Sequence, residues 1–249
     1  MPNAFACPDR LAALRAEVRA LESLGAARGG EVLPFGIEAL DARLAGGGLA
    51  VGALHEAAAD RPSLADDAAA TLFAAAIAAR RPGIVLWALT RRDLFAPGLA
   101  LAGLAPDRIL YAECGGNEDV LAVMEEGLRH GGLAAVVGEV SRVAMAATRR
   151  LQLAAEESGT MALMLKRRRR SGEDPLGVPS AAMTRWRIAS APSAALSVPG
   201  IGRARWHVIL ARQRGGEPHN WIMEGPDAQG RLALPAEPSH RPDQARVAA

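Results

Sequence analysis

A chain of 249 residues, half of them hydrophobic, is long enough to bury one substantial core and reads as a single α/β domain with less ordered ends. Its two cysteines, Cys7 and Cys114, lie too far apart in sequence to suggest a disulfide framework or zinc site, and its five histidines lack ligand spacing, so neither a metal nor a cofactor is expected. No apolar run reaches the roughly 18 residues of a membrane span and no secretory pattern opens the chain, so the expected compartment is the cytoplasm.

The net charge of +2 is unevenly spread, because residues 140 to 215 hold 14 Lys and Arg against 4 Asp and Glu. A basic half points to nucleic acid or an acidic protein surface as partner. Lys166 is the only lysine of the chain.

In chain order, Leu11, Leu14, Val18 and Leu21 recur at helical spacing and predict an amphipathic helix over residues 8–24, ended by Gly25, Gly29 and Gly30. A glycine-rich turn, Gly46 to Gly48, leads to an apolar strand over 50–55. A polar loop from Glu56 then precedes an alanine-rich helix over 63–81, with Ser63 as N-cap and Asp66 and Asp67 in its first turn. Short apolar strands follow at 84–89, 109–112, 133–137 and 161–165. Helices at 94–103, 118–130 (capped by Asn117) and 142–158 separate them. This alternation predicts a mostly parallel sheet covered on both faces. Segments 182–189, 203–212 and 221–224 alternate apolar with polar residues and predict antiparallel strands at one edge. Within them Trp186 points opposite to Arg185 and Arg187, toward the core.

Strand, loop and helix in that order is where nucleotide-binding α/β proteins cradle phosphates. A phosphate loop needs glycines, a lysine and a Ser or Thr for magnesium. Glu56 to Asp67 contains no glycine or lysine, and Pro62 removes an amide donor. Two aspartates at the helix start favour the helix dipole and repel a triphosphate. No residue constellation supplies a catalytic set, so the chain reads as a non-enzyme.

The entry LPFGIEALDARLAGGGLAVGALHE resembles the approach of the RecA recombination ATPases to their first core strand. On that resemblance Leu64, Ala65 and Asp66 stand where the family has glycine, lysine and threonine. Gly138, followed by Glu139, stands at the magnesium-associated aspartate, and TRRD offers no catalytic glutamate. The resemblance covers roughly residues 30–225 and implies a RecA-like domain, assigned to 31–234; periodicity and glycines set a helix and linker over 1–30, and proline and charge set a disordered tail over 235–249. A RecA-like core whose nucleotide chemistry is erased is similar to the ImuA family, sometimes labelled SulA-like. That similarity implies an accessory role in SOS-induced translesion synthesis, with nucleoid association after DNA damage. The implied partners are an ImuB-type relative of the Y-family polymerases and an error-prone polymerase α subunit, with single-stranded DNA or RecA as further candidates. A SulA-type division inhibitor and a RecA-like ATPase with a degenerate site are the competing readings.

The run Lys166, Arg167, Arg168, Arg169, Arg170 leaves the strand at 161–165 on a Gly, Ser and Pro-containing loop, at the sheet edge where ligands of open α/β folds bind. With Arg185, Arg187, Arg203 and Arg205 on the following strands, it forms the expected DNA- or partner-binding surface.

Overall fold

The computed structural model describes residues 30–168, 172–194, 200, 202–227 and 229–235, together with Glu17. Apart from Glu17, the expected helix over 8–24 lies outside the described residues, as do Arg169, Arg170 and the tail beyond residue 235.

Two short strands, β1 (Val32–Leu33) and β2 (Leu49–Ala50), pair antiparallel and frame helix α1 (Glu38–Asp41). The Asp41 carboxylate folds this segment back on itself by accepting the amides of Phe35, Gly36 and Ile37 at 2.6, 2.8 and 3.1 Å. The main body alternates strand and helix: β3 (Leu54–Ala59), α2 (Leu64–Ala79), β4 (Val85–Leu89), α3 (Ala96–Leu101), β5 (Ile109–Glu113), α4 (Asn117–His130), β6 (Ala135–Val140), α5 (Met145–Ser158) and β7 (Met161–Lys166). Three longer strands close it: β8 (Thr184–Ala191), β9 (Arg205–Gln213) and β10 (His219–Glu224).

The eight strands from β3 onward form one sheet in the order β10-β9-β8-β3-β7-β6-β4-β5. All pairings from β8 to β5 are parallel, whereas β8–β9 and β9–β10 are antiparallel. The antiparallel edge is therefore as expected, with one refinement: β8 joins the sheet parallel to β3. Helices α2 and α3 cover a core built on Phe73, Trp87, Leu163 and Trp186, while α4 and α5 cover a second core built on Leu54, Met124, Leu128 and Met164. Each central parallel strand is buried on both faces, as βαβ crossovers require. Glycines at φ 70° and 67° end α4 and α5 at Gly131 and Gly159, the left-handed stop that only a residue without Cβ adopts freely. Among the described residues, no helix is long and apolar enough to cross a membrane.

Two boundaries differ from expectation in ways that matter for the site. The first core strand runs from Leu54 through Ala59, so the connection to α2 is only residues 60–63. Glu56 is mid-strand and 1% exposed, because Arg185 on the adjacent strand neutralises it at 2.7 Å. Likewise β6 extends to Val140, so Gly138 and Glu139 are strand residues.

Candidate functional site

The turn between β3 and α2 is organised by a carboxylate. Ser63 caps the helix by accepting the Asp66 amide at 3.1 Å, which fixes Asp66 in the first turn with its side chain directed inward. That side chain is fully buried. It accepts the amide, Nε and Nη2 of Arg61 at 3.1, 2.9 and 3.2 Å, and the amide and hydroxyl of Ser190 at 2.9 Å each. Burial alone would raise the Asp66 pKa; the Arg61 and Ser190 donors more than offset it and hold the carboxyl down at about 2. Helix N-termini with converging donors bind anions, and here the chain supplies the anion itself.

The opposite wall carries a built-in cation. Alternation along β6 turns Glu139 toward α2 and Gly138 toward α4. Glu139 accepts Trp87 Nε1 at 2.9 Å on one oxygen and Arg167 Nε at 2.9 Å on the other. The same guanidinium reaches the Asp67 carbonyl at 3.4 Å. Gly138 has a packing reason: a Cβ there would lie 2.1 Å from Met124 Sδ and 2.7 Å from its Cγ. Burial pushes the neighbouring Asp67 carboxyl up, partly countered by Arg167 and Arg168.

Between these walls lies a cleft of about 920 Å³, beyond the C-terminal ends of the parallel strands, where α/β folds place ligands. Arg91, Arg167 and Arg168 are balanced there by Asp67, Asp93 and Glu139. Leu64 and Phe95, 89% and 71% exposed, form its apolar rim. Asn117 is not the cap of α4, which begins from Gly116; its amide instead ties the helix start to Ser141, donating to Oγ at 2.8 Å. Among the described residues no group of three or more His, Cys, Asp or Glu is placed to hold a metal ion.

The basic residues are brought together only in part. Lys166 is 2% exposed, on the face of β7 opposite Arg167, and burial beside Arg185 pulls its pKa down while Glu56 pulls it back. Arg185 is 9% exposed and spans Glu56 and the Val178 carbonyl. Both are interior residues: sequence alternation shows which face a side chain takes, but not that α5 and the 172–183 segment cover that face. Arg168 binds the carbonyls of Asp60 and Glu173, Arg187 binds Asp174 at 2.8 Å, and Arg203 and Arg205 share Glu224 at 3.2 and 3.4 Å. These four are half-buried and engaged within the chain. Trp186 and Trp206 are core residues, as alternation predicts for Trp186. The expectation missed Arg61 and Ser190. Arg61 was legible as a cation five residues before Asp66, whereas Ser190 is 124 residues away and carries no local signal.

No protein-family model matches the sequence. Protein ImuA from two strains of Caulobacter vibrioides is 37% identical over 206 residues, covering 79% of this chain and 84% of the relative. Among solved structures the RadB recombinase superposes with a TM-score of 0.57 at 16% identity, covering 82% of this chain and all of that one, which establishes a RecA-like fold. With a relative of this identity and coverage, the chain belongs to the ImuA family.

Proposed function

We propose that this chain is a non-catalytic RecA-like accessory protein of SOS-induced, error-prone translesion synthesis. It bridges an ImuB-type relative of the Y-family polymerases and an error-prone polymerase α subunit, with single-stranded DNA or RecA as further contacts at the nucleoid. Family membership supports the accessory role in damage-induced mutagenesis, and the fold supports descent from a nucleotide-binding scaffold. The observation that carries the non-catalytic reading is Asp66, a buried carboxylate with five internal hydrogen bonds at the helix start where RecA-like ATPases hold phosphate. Arg167 adds to it by pairing with Glu139 on the facing strand. DNA or partner binding falls to Arg168, Arg187, Arg203 and Arg205 with Arg169 and Arg170, and protein docking to the 8–24 segment.

Calorimetric titration of the purified chain with MgATP tests the catalytic half, and the expected outcome is no heat of binding at millimolar nucleotide. Tight binding that disappears in Glu139→Ala would sink the proposal in favour of an unorthodox ATPase. Retention of both polymerase-like partners on the tagged chain from DNA-damaged cells tests the other half.

A further inference from the structure

On the face of the sheet away from the Asp66 turn, α5 turns one stripe of its surface into a groove of about 570 Å³. Met145, Arg149 and Leu153, spaced by four residues, form one wall, and Arg212 and Arg214 at the end of β9 form the other. Met145 and Leu153 are 47% and 55% exposed, two apolar side chains on one stripe of the helix.

The floor is held rigidly. Arg212 donates to the carbonyls of Ser180 and Ala182 at 3.1 and 3.5 Å, and Arg214 donates to that of Ala181 at 3.0 Å. From the helix side, Thr148 Oγ1 accepts the Ala181 amide at 3.1 Å, and from beneath, Ser180 donates to buried Glu56 at 2.7 Å. Arg212 and Arg214 thus donate to backbone carbonyls, and Glu156 is the one acid among the residues that line the groove. Three guanidiniums therefore face one acid, Glu156, which accepts from Gln152 at 2.7 Å.

We infer that this groove docks an acidic peptide segment of a protein partner, its carboxylates on Arg149, Arg212 and Arg214 and an apolar side chain between Met145 and Leu153. Guanidiniums recognise carboxylates through paired N–H donors, and a methionine adapts its shape to the apolar anchor. Nucleic acid suits the groove less well, because no aromatic ring lines it to stack a base. A floor already fixed by hydrogen bonds costs little ordering on binding. The existence of a protein partner rests on the adaptor role above; the groove's chemistry does not.

Panning a random peptide display library against the purified full chain tests the groove directly. Enriched sequences should carry Asp or Glu around a Leu, Ile, Met or Phe. A peptide made from them should lose about tenfold or more in affinity with Arg149→Glu or with Leu153→Asp, exposed positions outside both cores. Enrichment without acidic residues, or affinity for both variants equal to that for wild type, overturns the inference. So does displacement of the peptide by oligo(dT) that weakens in the same variants, which would assign the groove to nucleic acid. Pull-down from damaged cells separates the two proposals. Partners retained equally by wild type and by both variants would sink the groove and leave the adaptor role standing. Wild type retaining neither polymerase-like partner would sink the adaptor role, with the peptide titration still judging the groove.

Discussion

Asp66 and Ser190 lie 124 positions apart, yet the carboxylate accepts both the amide and the hydroxyl of that serine at 2.9 Å. The contact pins the first turn of α2 to the far end of β8, and the Arg61 guanidinium closes the same carboxylate from the solvent side. Replacing Asp66 with alanine strands these donors and is expected to cost about 3 kcal/mol, near the lower end for breaking a buried pair because Arg61 is half in water. Ser190→Ala should cost about 1 kcal/mol, the net value of an ordinary hydrogen bond. Urea unfolding of the two variants checks both numbers; equal and small losses would mean that the turn does not depend on its carboxylate.

Acid sensitivity should arrive in two windows. Burial drives the His55 pKa from 6.5 to about 4, opposed by its bond to the Ala50 carbonyl, so the ring is neutral in the fold. Because the unfolded chain binds that proton first, stability is lost as pH falls from 6.5 toward 4, by about 3 kcal/mol. Asp66, lowered from 3.8 to about 2, contributes stability above 3.8 that is lost as pH falls through 2, about 2 kcal/mol. Urea midpoints measured across pH should show the upper window vanish in His55→Gln and the lower one persist.

Two arginines two residues apart should behave differently. Arg185→Ala leaves Glu56 buried without its cation and is expected to cost about 3–5 kcal/mol. Arg187→Ala removes a pair whose acid, Asp174, is 47% exposed, and should cost less than about 1 kcal/mol. Thermal melts distinguish them; similar losses would contradict the interior placement of Arg185.

Gly138 and Met124 should be coupled. Gly138→Ala drives a methyl into the Met124 side chain and is expected to cost about 1–3 kcal/mol through overpacking. Shortening Met124 to alanine costs about 2–5 kcal/mol alone, yet the double variant should fall well short of the sum. Additive losses in a double-mutant cycle would show that α4 does not press on β6 at this glycine.

The order of strands and helices was legible because each parallel strand is a short apolar run between helix signals, and the antiparallel edge because alternation resumes after residue 165. Glu56 shows where that reading stops. A lone acid after an apolar run reads as the start of a loop, but here it continues the strand, because Arg185 arrives 129 residues later to neutralise it. The caging of Asp66 was half visible, through Ser63 and the acidic first turn, and half hidden, since Ser190 comes from a distant strand. Lys166 was misplaced for the same reason: five adjacent cations read as one exposed cluster until strand alternation sends the first of them inside.

That burial has a chemical consequence. The chain has a single lysine, and folding withdraws its amine from solvent. Acylating reagents and side-chain conjugating enzymes that attack the lysine ε-amine therefore find no such group on the native surface. They reach it only after β7 leaves the sheet, which makes Lys166 labelling a direct chemical readout of unfolding.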